Sequence, residues 1–428
     1  LNFASVWMLL TGLLGLLSFG GLFFLTGTLS ESEAQTEAQA QTSPTPSPTG
    51  GTSAPTSAAA ASTATTVPVA IAATTAPVAV AATPAPTETP PPPTPTLPPS
   101  PVPTINAPEI QGRVSRESGF EYGAHVGFDI TDPDKLTKMQ IAGMNWMKIQ
   151  IRFKPGMNAD DYGWQVQFLH ERGIKILWGV VGEKADIFSP GYIEAYSAFV
   201  ARLAEIGSDA IEVWNEPNID REWPTGQVSG ESYMRLLRPA YEAIKARNPS
   251  TIVISAATAP TGFFGGCKAE GCDDDVYYQQ LAQAGAANYL DCVGAHYNEG
   301  VVSPLATTGD PRNPYPTQYL ISNTDRAYLP FASSGKPVCY TELGYLTAEG
   351  YDSGLPPGFE WAGGVTVANQ AAWLATAAVV LSQTGHVRLM IIWNLDYKDF
   401  NPDPHGGFAM IRPDGGCPAC DSLGLVKP

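Results

Sequence analysis

Two glutamates stand where an apolar run should simply end. "IEVWNEPN" (211–218) and "PVCYTELG" (337–344) each read as a short buried strand closing on a carboxylate, Glu216 in the first and Glu342 in the second. A pair of carboxyl groups facing each other across a cleft can cleave a glycosidic bond: one protonates the leaving oxygen while the other attacks, or activates water at, the anomeric carbon. The acid needs burial or a nearby negative charge to keep its proton, and the nucleophile needs a neighbouring cation to stay ionised. Arg152, at the end of another apolar run, is the candidate cation. The alternative is that each Glu belongs to a structural ion pair.

The elements that would position these residues are legible as eight β-branched runs. They start at Tyr122, Trp146, Ile174, Ala210, Thr251, Leu290, Pro337 and Leu389. Stretches of helical period lie between them, among them "DPDKLTKMQIAGM", "YIEAYSAFVARLAEIG", "SYMRLLRPAYEAIKARN" and "VANQAAWLATAAVVLSQTG". Strand and helix in alternation predict a parallel sheet, and eight such units with right-handed crossovers close into a (β/α)8 TIM barrel. The rival, an open doubly wound sheet, would want a Gly-rich phosphate turn after the first strand, where "GFDITDPD" offers none. In a barrel the reactive groups sit at the C-terminal strand ends. Those ends carry His125, Arg152, Trp178, Asn215 with Glu216, His296 with Tyr297, Glu342, and Trp393.

In this arrangement the chain resembles the clan A glycoside hydrolases, retaining (β/α)8 enzymes, with wording nearest to families 39 and 5. "VWNEPN" is similar to the clan's fourth-strand motif, "KPVCYTELGY" to its seventh, and "IIWNLDY" to its eighth, over about residues 120–428. The resemblance implies a retaining β-glycoside hydrolase working by double displacement on an extracellular polysaccharide or oligosaccharide. Glu216 would be the acid/base, Glu342 the nucleophile, Asn215 a partner of the sugar 2-hydroxyl, Arg152 the group orienting the nucleophile, and Trp393 the sugar platform. His296 joins the set as a polar strand end beside the motif. The sixth strand departs from the clan pattern, reading "HYN", which leaves open whether Tyr297 reaches Glu342. The third lacks a histidine that some relatives place there, a space His125 could fill. Trp178 is a secondary platform candidate, with Tyr345, Trp223 and Trp361. A catalytically silent glycan-binding or structural cell-surface barrel is the alternative function. No metal cluster or nucleotide loop stands out, so neither metal nor cofactor is expected, and a monomer is.

Composition along the 428 residues is uneven. Residues 1–30 are uncharged and long enough to cross a hydrocarbon core of about 30 Å, which reads as a membrane anchor, with a cleaved signal peptide as the alternative. Residues 31–108 are Ser, Thr, Pro and Ala, with no aromatic between Phe24 and Phe120, and predict a disordered linker reaching on the order of 200 Å. The barrel would occupy 109–428, outside the cell at the membrane, or secreted if the leader is removed. Starting at Leu1 and ending soon after the eighth strand, in a stretch that resembles the clan's exit into a last helix, the sequence reads as clipped at both ends. The net charge of −17 excludes a basic nucleic-acid face. Six cysteines fit an oxidising compartment. Cys267 with Cys272, and Cys417 with Cys420, read as local pairs; Cys292 and Cys339, inside apolar strands, read as buried hydrophobes.

Overall fold

In the computed structural model, the described residues run from Gly112 to Pro428, except 116, 118, 128, 313 and 314. The expected anchor (1–30) and linker (31–108) lie outside them. Among the described residues no helix is long and apolar enough to cross a membrane.

Eight parallel strands form one sheet: β1 (Glu121–His125), β2 (Trp146–Arg152), β3 (Lys175–Val181), β4 (Ala210–Val213), β5 (Ile252–Ser255), β6 (Val293–Tyr297), β7 (Val338–Leu343) and β8 (Val387–Ile392). Their order is β5-β4-β3-β2-β1-β8-β7-β6. Parallel bridges Ile254–Cys292 and Thr258–Ala295 join the two ends, so the sheet closes into the expected barrel. Each run of β-branched and aromatic residues became a strand, although β8 begins before Leu389 and β4 stops short of its motif.

The helical layer comprises α1 (Pro133–Ala142), α2 (Gly163–His170), α3 (Tyr192–Ile206), α4 (Gly230–Arg247), α5 (Asp274–Gln283), α6 (Leu320–Tyr328), α7 (Val367–Gln383), the short α8 (His405–Phe408) and α9 (Pro418–Val426). The caps are local chemistry. Asp132 accepts from the Asp134 N–H ahead of Pro133, and Gly143 ends α1 at φ 76°, a left-handed conformation that costs glycine little. Thr366 and Asn369 form a reciprocal box at the start of α7. The last helix returns to the barrel's beginning, where the Val114 N–H donates to the Val426 carbonyl at 2.8 Å.

Inside the barrel, alternate residues stack in layers. The floor is apolar: Trp146, Leu177, Ala210, Ile254, Cys292, Cys339, Leu389 and Ile391 pack as one buried cluster. Cys292 and Cys339 are joined in a disulfide rather than acting as free apolar fillers, because neighbouring β6 and β7 bring their Cα atoms to 5.8 Å. The other two disulfides, Cys267–Cys272 and Cys417–Cys420, are the local ones expected.

Candidate active site

One step up from the floor the interior turns polar. Lys148 of β2 is wholly buried; its Nζ lies 2.8 Å from Glu212 Oε2 of β4 and 3.4 Å from Glu342 Oε1 of β7. Burial works against its charge, but Glu212 and Glu342 outweigh that and raise its pKa. Thr341 Oγ1 donates to Glu212 Oε1 at 2.6 Å. Gly179 makes room for this pair: a Cβ there would sit 2.9 Å from Lys148 Cε and 3.4 Å from Glu212 Oε2.

Glu342 lies one residue before the end of β7, where the strand slips register against both β6 and β8. Besides Lys148 it accepts from Asn298 Nδ2, 3.1 Å from Oε2. Glu216 is presented differently. Beyond β4 the backbone turns through positive φ at Trp214 (78°) and Glu216 (38°), a conformation that costs non-glycine residues about 1–3 kcal/mol each. Surrounding bonds hold the kink. The Trp214 N–H donates to the Val180 carbonyl and its indole Nε1 to the Glu222 carbonyl, both at 2.9 Å. The result turns the Glu216 carboxylate inward to meet His296 of β6, with Nδ1 and Oε1 3.0 Å apart, and Arg221 Nη2 of the following turn on Oε2.

His296 links the two glutamates. The same Nδ1 that lies 3.0 Å from Glu216 is 3.8 Å from Glu342 Oε2. These two carboxylate oxygens are therefore no further apart than those distances combined. His296 is fully buried, which disfavours its charge, yet Glu342, Glu216 and Glu212 around it raise its pKa. Burial also works to raise the Glu216 pKa, but Arg221 and His296 more than offset it and hold the carboxyl down at about 2.

The other residues singled out from the sequence fall into two groups. Asn215 sits at the kink with its Oδ1 buried and without a hydrogen-bond partner. Trp393 is partly exposed at the rim, edge-on to His125 at 4.6 Å and Tyr397 at 5.3 Å. His125 is buried behind it with Nε2 3.1 Å from the Tyr397 hydroxyl, and burial, then Lys148, keeps its pKa well below normal. These residues gather at the C-terminal mouth. Arg152, Tyr297 and Trp178 do not perform the contacts expected of them. Arg152 is exposed and makes no hydrogen bond or ion pair with Glu342; the cation there is Lys148, deeper on the same strand. The Tyr297 hydroxyl donates to the Gln318 carbonyl at 3.0 Å, away from Glu342. Trp178 is buried on the outer face of β3 against Tyr162, ring centroids 5.5 Å apart. Trp223 and Tyr345 are likewise wholly buried, whereas Trp361 is partly exposed under the Arg312 guanidinium.

Lys148, Glu212, Asn298, Arg221 and Glu222 were missed in the sequence. A signal existed for the first two: opposite charges inside otherwise apolar strands need one another.

The fold and site together define a class: a (β/α)8 barrel with two glutamates converging on one imidazole at the C-terminal ends of its strands. No protein-family model and no curated protein sequence matches the chain. Among solved structures it is similar to two fungal β-1,4-galactanases, at 14% identity over 72% of this chain and 94% of that one, with a TM-score of 0.50. An endo-1,4-β-mannanase from Rhizomucor miehei aligns at 13% identity, 72% and 94% coverage and a TM-score of 0.48. Thermotoga maritima Cel5A, solved with mannotriose, aligns at 15% identity, 72% and 98% coverage and a TM-score of 0.44. At these identities the likeness is one of fold: the barrel implied by the clan A resemblance is the barrel that the galactanase structure shares.

Proposed function

We propose that the barrel is a retaining β-glycoside hydrolase acting on an extracellular polysaccharide or oligosaccharide. One observation carries the proposal: a single nitrogen of His296 lies within 3.0 Å of one glutamate and 3.8 Å of the other. The ceiling this sets on one oxygen–oxygen distance is compatible with the ~5–5.5 Å between the carboxyl groups of enzymes that form a covalent intermediate, and it supports the retaining reading. Similarity of fold to a galactanase structure is consistent with a glycan as the substrate class.

In the first step a Glu342 oxygen bonds to the anomeric carbon as the glycosidic C–O bond breaks, and the Glu216 proton passes to the departing oxygen. In the second, Glu216 takes a proton from water, whose oxygen bonds to the anomeric carbon and releases the Glu342 carboxylate. Lys148 and Asn298 hold Glu342 in place. Asn215 Oδ1, buried and unpartnered, suits a sugar hydroxyl, and Trp393 offers an apolar face to the ring. Location outside the cell is supported by the pairing of all six cysteines. Tethering through residues 1–30 and the 31–108 linker is part of the same proposal.

The test is covalent trapping. Incubation with 2-deoxy-2-fluoro dinitrophenyl β-glycosides of the gluco, manno and galacto series should give, with at least one, a single-glycosyl mass adduct on the peptide holding Glu342. An adduct elsewhere, or an α-configured first product, overturns the assignment. The grip of Arg221 on Glu216 favours a second reading, a barrel that binds glycans without turnover; binding with no hydrolysis across the same sugars would establish it.

A further inference from the structure

Resting on the glycosidase reading, one contact conflicts with the first step and asks for an explanation. A proton donor should not be paired with a guanidinium, yet Arg221 Nη2 lies on Glu216 Oε2. The backbone below is fixed: the Ile219 N–H donates to the Glu216 carbonyl at 3.2 Å, the Trp223 N–H to the Ile219 carbonyl at 3.0 Å, and the Trp214 indole to the Glu222 carbonyl at 2.9 Å. The Arg221 side chain lies nearer the solvent, being 51% exposed where Glu216 is 8%.

A second acceptor waits beside it. Glu222 is mostly buried, its Oε1 3.9 Å from Arg221 Nε, too far for a hydrogen bond but close enough for a small rotation to make one. Burial raises its pKa, Arg221 and Arg152 work the other way, and Glu216 and Glu342 add to the rise, so Glu222 gains by receiving a closer cation. The charged groups facing these three residues come from most sides of the barrel. Glu216 meets Arg221 and His296, and lies in the field of Glu222 and of Glu299 after β6. Arg221 feels Glu216, Glu222 and Asp403 of the segment after β8. Glu222 feels Arg152 and Glu342 as well.

We propose that Arg221 is a removable counter-ion on Glu216, and that an entering sugar passes its guanidinium to Glu222, which readies Glu216 to act as the acid. Arg221 and Glu222 are thus positioning residues that act through Glu216. In the resting site Glu216 is poised as the base of the second step. Taking that cation away lets burial push the Glu216 carboxyl up from about 2 against the remaining pull of His296, so the carboxyl is protonated more often near neutral pH. The device also ties the acid's readiness to occupancy of the cleft.

The decisive measurement is a carboxyl carbon-13 titration of the full chain labelled at glutamate, with Glu216 assigned by its absence in E216Q. Arg221→Met should move the Glu216 titration up by more than one pH unit, and the descending limb of kcat/KM with it. Arg221→Lys, which keeps a cation, should leave both near their wild-type positions. Glu222→Gln should lower kcat on methyl β-glycosides, whose leaving group needs a proton, at least about tenfold more than on dinitrophenyl β-glycosides, whose leaving group does not. An unmoved Glu216 titration in Arg221→Met overturns the proposal, as does an equal loss on both substrates in Glu222→Gln. The titration needs no turnover, so it reports on Arg221 separately from whether Glu342 can be trapped.

Discussion

The ends of β4 and β7 carry the same side chain in unlike surroundings. Glu342 leaves a strand at a register shift and is held from the barrel wall by Lys148, whose ammonium is itself fixed by Glu212, and by Asn298. Nothing in that set is exposed enough to leave easily. Glu216 stands on a kinked backbone, with a buried imidazole on one oxygen and a half-exposed guanidinium on the other. A nucleophile must be ionised when it attacks, and an acid/base must gain and lose a proton in every cycle. In the proposed mechanism the permanent cation stands beside the first and the removable one beside the second, and environment rather than residue type divides the labour.

The comparison can be broken most decisively at Glu342. Glu342→Gln should lower hydrolysis of a dinitrophenyl β-glycoside by at least about four orders of magnitude, measured by steady-state release of dinitrophenolate. Glu216→Ala should instead lose roughly 100- to 10,000-fold on methyl β-glycosides and much less in the first step with dinitrophenyl ones. Added azide should restore turnover in Glu216→Ala and yield the β-glycosyl azide; equal losses in the two variants would erase the distinction.

Next in size is the buried cation. Lys148→Met strands Glu212 inside the barrel and should destabilise the fold by about 3–5 kcal/mol, measured by urea unfolding; adding Glu212→Gln should recover part of that loss. Acid should then separate the two ends further. Because the folded-state pKa of Glu216 is depressed, from 4.5 to about 2, the stability it contributes is present above about 4.5 and is lost as pH falls toward 2. Unfolding midpoints of Glu216→Gln should accordingly fall less steeply over that interval than those of the parent. The smallest effect is at the rim: Trp393→Ala should raise KM about tenfold through loss of ring packing, with a smaller change in kcat.

Much of this arrangement was legible residue by residue. The eight apolar runs became the eight strands because β-branched and aromatic side chains suit a pleated, buried surface. Alternation along a strand could have settled two further residues. Leu177 and Gly179 face the interior, so Trp178 between them faces the helices; His296 faces the interior, so Tyr297 does not. Arg152 is a different kind of miss. It has the same parity as Lys148, and what separates them is depth: hydrogen-bond register runs from Lys148 through Leu177 to Ala210, yet Lys148 meets Glu212 two residues further along β4, while Arg152 is carried to the exposed end. That stagger belongs to the closed barrel, not to any one strand.

Sequence alone determined the class of fold, the two carboxylates and their motifs, the two local disulfides and the place of Trp393 at the rim, because each follows from composition or spacing within a few residues. Only the tertiary structure decided that Lys148 rather than Arg152 serves Glu342, that Cys292 meets Cys339, and that Arg221 guards Glu216. Those pairings depend on how barrel closure sets the level and direction of chain segments distant in sequence, and on where a turn aims a long side chain. Charge complementarity can say that a buried cation needs an anion; which anion it meets is a question of geometry.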